Sequence, residues 1–72
     1  MFEYTVEDKN GQKFECDKLT IAGLAEDYFH DHDGWESKWP LTFYVWEDNE
    51  YLGRFDIELE YEPVFYPMKI KE

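Results

Sequence analysis

Seventy-two residues carry a formal net charge of −11, from 18 acidic and 7 basic side chains. A chain this short forms one domain with a marginal core, and its six Phe, six Tyr and three Trp exclude intrinsic disorder, which goes with a shortage of aromatics. The charge excludes direct binding to a nucleic-acid backbone, where Lys and Arg must neutralise phosphates, and it exceeds the magnitude of about 2–8 that keeps a small domain soluble.

The run Phe2-Glu-Tyr-Thr-Val6 alternates apolar and polar residues and predicts a strand, as does Gln12-Lys-Phe-Glu-Cys-Asp17. Lys9-Asn10-Gly11 lies between them. A two-residue Asn-Gly turn would put the two apolar sets on opposite faces. A three-residue loop with Gly11 in the left-handed conformation keeps them together, pairing Val6 with Phe14 and Tyr4 with Cys16.

A helix follows. Ile21, Leu24, Ala25, Tyr28 and His32 recur at i, i+3, i+4, i+7 and i+11. Thr20 is the expected N-cap and Gly34 the expected stop, while Gly23 weakens the first turn by up to about 1 kcal/mol.

Residues 34–40 read as a connecting loop. Leu41-Thr-Phe-Tyr-Val-Trp46 is a third strand, residues 47–50 hold a turn, and residues 54–62 form a fourth strand. Pairing by the buried face sets Val45 opposite Phe55 and Phe43 opposite Ile57. Pro63 and Pro67 bracket Val64-Phe-Tyr66 and limit it to an edge strand at best. The order predicts a single small α+β domain over residues 1–72: ββαββ, one antiparallel four-stranded sheet with a single helix packed on one face.

In the fourth strand Asp56, Glu58, Glu60 and Glu62 alternate with Phe55, Ile57, Leu59 and Tyr61. This is an apolar face backed by carboxylates at a repeat of roughly 6.5–7 Å, twice the strand rise. Like charges in a row repel, and folding does not require them. The registers widen the row into a face that holds Glu3, Glu7, Glu15 and Asp17 from the first hairpin. The second hairpin adds Tyr44, Trp46, Asp56, Glu58 and Glu60, with Lys13, Arg54, Thr5 and Thr42 as the exceptions. Trp46 should lie across from Arg54 at cation–π distance.

The candidate partner-binding residues are Asp56, Glu58, Glu60, Glu62, Tyr44, Trp46, Glu15 and Asp17. Aromatics anchor interfaces, and charges set encounter rate and partner choice. The implied partner is a basic protein surface, with no direct nucleic acid and no membrane. An ordinary solvated sheet face is the alternative.

A second cluster, Glu26-Asp27-Tyr-Phe-His30-Asp31-His32-Asp33, offers a metal-binding alternative with Glu26 and His30 on one helical face. His30 and His32 project to different sides of a helix, however, and no paired Cys completes a ligand set. Acidic surface with local His–Asp pairing is the preferred reading, so no metal site is assigned. Trp35 and Trp39, like Phe65 and Tyr66, either close the small core or anchor a partner. A homodimer through the edge strand is a further option.

No nucleophile motif or phosphate loop is present, and a two-layer fold of this size has little room for a cleft, so neither catalysis nor a cofactor is expected. The lone Cys16 rules out an internal disulfide, reads as a small core residue, and fits a reducing, cytoplasmic setting. The start Met1-Phe-Glu-Tyr4 shows no signal-peptide pattern, and no run approaches the roughly 20 apolar residues of a membrane span.

Asp33-Gly-Trp-Glu36, Trp39-Pro40, Phe43, Gly53-Arg-Phe55 and Glu62-Pro-Val-Phe65 together resemble small uncharacterised phage and proteobacterial proteins. That resemblance covers the second half of the chain and implies no activity. In size and charge the chain also resembles phage-encoded acidic proteins that mimic DNA and block defence nucleases. The resemblance implies an inhibitor of the anti-defence type that occupies a cationic, nucleic-acid-binding groove. Duplex DNA carries a charge about every 3.4 Å per strand, so carboxylates on one protein strand are half as dense and both hairpins would have to contribute.

Overall fold

The computed structural model describes residues 1–60 and 64–71, Glu60 by its backbone alone. Its elements are β1 (Phe2–Val6), β2 (Phe14–Cys16), α1 (Ile21–Asp31), a 3-10 turn (Gly34–Glu36), β3 (Leu41–Glu47), β4 (Glu50–Glu60) and β5 (Val64–Ile70). All the strands pair antiparallel in one sheet of order β2-β1-β3-β4-β5. The α+β class and the single helix stand, but the sheet has five strands rather than four. The fifth is the tail, and it lies at the sheet edge, the position its prolines allow. Pro67 pairs with Ile57 in β5, and an edge strand tolerates a missing N–H because only one of its sides is in a ladder.

The helix forms as its spacing requires. The Thr20 hydroxyl accepts from the Gly23 N–H at 3.0 Å and caps the first turn. Leu24 and Ala25 are fully buried against the sheet, with Ile21 and Tyr28 packed beside them. The helix ends at Asp31 with His32 as its C-cap, so Gly34 is not the expected stop. Gly34 serves a different purpose: a Cβ there would come within 2.4 Å of the Phe29 Cα, so only glycine lets the chain fold back so closely on the last helical turn.

The core lies between α1 and one sheet face, built from Tyr4, Cys16, Leu24, Ala25, Leu41, Phe43, Val45, Ile57 and Phe65. Phe43 is its centre, stacked with Tyr4 at 5.3 Å and Trp39 at 6.0 Å and met edge-on by Tyr28 at 5.8 Å. Trp39 therefore closes the core, and its indole N–H donates to the Gly34 carbonyl at 2.9 Å. Trp35 does not, and remains 63% exposed.

Both predicted hairpin registers are corrected by two residues. Tyr4 pairs with Phe14 and Phe2 with Cys16, because the chain leaves the β1–β2 ladder early. Glu7 takes a φ of 66°, its N–H bonds the Thr42 carbonyl at 2.7 Å, and its carboxylate accepts from the Thr42 N–H at 2.7 Å. The Asp8 carbonyl then accepts from Gly11 N–H at 2.9 Å, so residues 7–13 form the connection in place of a three-residue loop.

In the second hairpin Phe43 pairs with Phe55 and Leu41 with Ile57. The tight turn has Asp48 and Asn49 both at positive φ, which suits a two-residue hairpin. Continued without interruption, its Glu47–Glu50 pairing would set β3 and β4 one residue out of phase with their apolar faces. A bulge repairs the phase: Val45 pairs with Gly53 and Trp46 with Tyr51, leaving Leu52 as the extra residue. Gly53, at φ 136°, supplies a backbone that L side chains rarely adopt. A two-residue slip keeps every side chain on its face, so the face assignment survives for the described residues within the ladders, while Glu7 leaves the ladder.

Candidate functional site

The face of the sheet away from α1 is ordered by the pairing into cross-strand rows. The first runs Glu15, Glu3, Trp46, Tyr51; the second Thr5, Tyr44, Arg54, Ile70; the third Thr42, Asp56, Met68; and the fourth Glu58 and Tyr66. Of the sequence candidates, Tyr44, Trp46, Asp56, Glu58 and Glu15 share this face. Asp17 lies just past β2 and is exposed. Glu60 pairs with Val64 through its backbone, while its side chain, like the whole of Glu62, lies outside the described residues.

The carboxylates are not equivalent. Asp56 accepts from the Thr42 hydroxyl at 2.9 Å, and Glu7 is turned onto the Thr42 N–H, so these two acids have structural partners. Glu58 is exposed. Glu3 and Glu15 stand directly opposite one another, a like-charge pairing that costs stability. The β4 acids border an apolar column on β5: Met68 opposite Asp56 and Tyr66 opposite Glu58, 64% and 52% exposed. Phe65, the alternate residue, is buried against Phe29 and Trp39.

Trp46 does not meet Arg54, which lies across from Tyr44 instead. The bulge brings Tyr51 opposite Trp46, ring centroids 5.4 Å apart. Each ring carries a lysine ammonium: Lys13 Nζ sits 4.1 Å from the Trp46 centroid and Lys9 Nζ 4.0 Å from that of Tyr51. Both lysines come from the 7–13 connection. Lys13 lies just before β2, on the far side of β1 from β3, so its contact with Trp46 joins side chains that start two strands apart.

Thr5, next to Tyr44, is fully buried on a face no helix covers. The Thr5 hydroxyl has no hydrogen-bond partner among the described residues. Sequence reasoning missed Lys9 and Tyr51 because periodicity does not report where long side chains fold, and because without the bulge Tyr51 would fall on the core side. The lone glycine inside a strand, Gly53, was the signal available.

The helix-end cluster has a different character. Tyr4 donates from its hydroxyl to Asp27 Oδ2 at 2.7 Å, and His32 Nε2 lies 3.7 Å from the same oxygen. Burial and this bond to a carboxylate push the Tyr4 phenol well above its ordinary range. His32 stacks on Phe14 at 4.1 Å, and His30 is exposed. Among the described residues no group of three or more His, Cys, Asp or Glu could hold a metal ion. Burial raises the Cys16 thiol, and Sγ accepts from the Lys18 N–H at 3.4 Å, the environment of an inert core cysteine.

No described helix is long and apolar enough to cross a membrane. The chain matches no family model, no curated protein and no solved structure.

Proposed function

We propose that the chain is a non-catalytic acidic interaction module, an inhibitor of the anti-defence type that seats its uncovered sheet face in a cationic, nucleic-acid-binding groove of a partner protein. The observation that carries this reading is the direct Glu3–Glu15 pairing on a face that also holds Asp56 and Glu58. The arrangement costs folding energy, and an arriving cationic surface turns that cost into attraction. Acids from both hairpins contribute, as the charge spacing of a nucleic acid requires. Tyr44 and Trp46 provide rigid contact area between them.

The test has two stages. A tagged chain captures partners from a host lysate at low salt, and the captured partner is assayed for binding to DNA and RNA with and without the chain. The expected result is displacement of nucleic acid at moderate salt. Glu15→Gln, Asp56→Asn and Glu58→Gln together should abolish it at moderate salt and flatten its salt dependence. Undiminished binding by that triple variant would remove the proposed face.

A further inference from the structure

The Trp46–Tyr51 ring pair already shows which chemistry it accepts, because two ammonium groups of the same chain lie over it. We infer that this pair is a docking site for a Lys or Arg side chain of a basic protein segment, and that Lys9 and Lys13 are a built-in competitor that the segment displaces. The inference rests on the acidic-face reading and specifies how that face recognises its partner.

Three features support an exchange. Trp and Tyr are the strongest aromatic seats for a cation, and an exposed contact of this kind shifts an equilibrium only roughly two- to fivefold, so each lysine is held weakly. Both lysines come from one exposed connection, residues 7–13, and their side chains can leave the rings with the strand ladders and the Glu7–Thr42 bonds intact. Glu3 lies next to Trp46 in the same row, with Glu15 beyond it, so an incoming cation finds carboxylates beside the ring. An arginine is more weakly hydrated than an ammonium and stacks flat on aromatic faces, which favours it over the resident lysines. The net charge of −11 directs a basic segment, rather than a nucleic acid or an anionic membrane, to this surface.

The probe is a nona-arginine peptide, titrated into the full chain at low salt and followed by NMR at the Trp46 indole N–H and the Lys13 side chain. Both signals should move together as the peptide binds. Lys9→Gln with Lys13→Gln should bind the peptide about three- to tenfold more tightly than Lys18→Gln with Lys38→Gln, which removes the same charge away from the ring pair. Trp46→Leu should lose that gain. Equal affinity of the two double variants, or binding that leaves the Trp46 signal unmoved, overturns the exchange. If the peptide then still binds less well to the variant carrying Glu15→Gln, Asp56→Asn and Glu58→Gln, the acidic face stands without it. If the unaltered chain ignores the peptide, both readings fall.

Discussion

The two faces of this sheet use the same residue types to opposite ends. On the helix side Tyr4, Tyr28, Trp39 and Phe43 form one aromatic cluster, in which the Tyr4 hydroxyl donates to Asp27 and the Trp39 indole N–H to the Gly34 carbonyl. On the other side Trp46 and Tyr51 contact each other and are then covered by ammonium groups. An aromatic ring in this chain is thus a core element or a cation seat according to what lies above it. A helix supplies apolar cover on one face, and two lysines of a short connection cover the rings on the other.

The contrast is broken most directly at Phe43. Phe43→Ala should cost about 3–5 kcal/mol, a large share of the roughly 4–11 kcal/mol expected for a domain this size, and urea unfolding should show a midpoint lowered by that share. The next effect is set by pH. Because the Tyr4 phenol is raised in the fold, the native state keeps a proton that the unfolded chain loses above about pH 10. The contribution is fully present below that pH, and stability should fall above it by up to about 1.4 kcal/mol per pH unit. Tyr4→Phe should reduce this slope to the part contributed by the raised Cys16 thiol in thermal melts recorded between neutral and alkaline pH. The smallest effect belongs to the open face: Lys13→Gln should change stability by only about 0.5–1 kcal/mol, and a larger loss in the same unfolding assay would mean that Lys13 is part of the core in all but position.

Much of this organisation was legible in the residues. The spacing of Ile21, Leu24, Ala25 and Tyr28 located the helix and its buried side, and strand alternation assigned Tyr44, Trp46, Asp56 and Glu58 to the open face. Register was not legible, because alternation fixes pairing only to within a multiple of two; the extra steps were decided by Glu7 and by the turn at Asp48 and Asn49. β5 was left out of the four-strand count because Pro63 and Pro67 allow the segment an edge position at best, and the edge is where it lies. The candidate site was half visible: its acids and two of its aromatics followed from periodicity, whereas its lysine cover depends on where two long side chains of a connection settle.

The bulge at Leu52 makes this hairpin unusually sensitive to the arithmetic of insertion and deletion. Surface turns normally tolerate changes of length. Here Phe55 and Ile57 face the helix, and Asp56 and Glu58 face outward, only because one residue more stands on β4 than on β3. Removing that residue would turn the strand inside out, offering carboxylates to the core and phenylalanine to water, whereas losing two would leave both faces as they are. Variation in the length of this segment is therefore confined to even steps, a constraint set by the geometry of pleating and independent of which side chains occupy the turn.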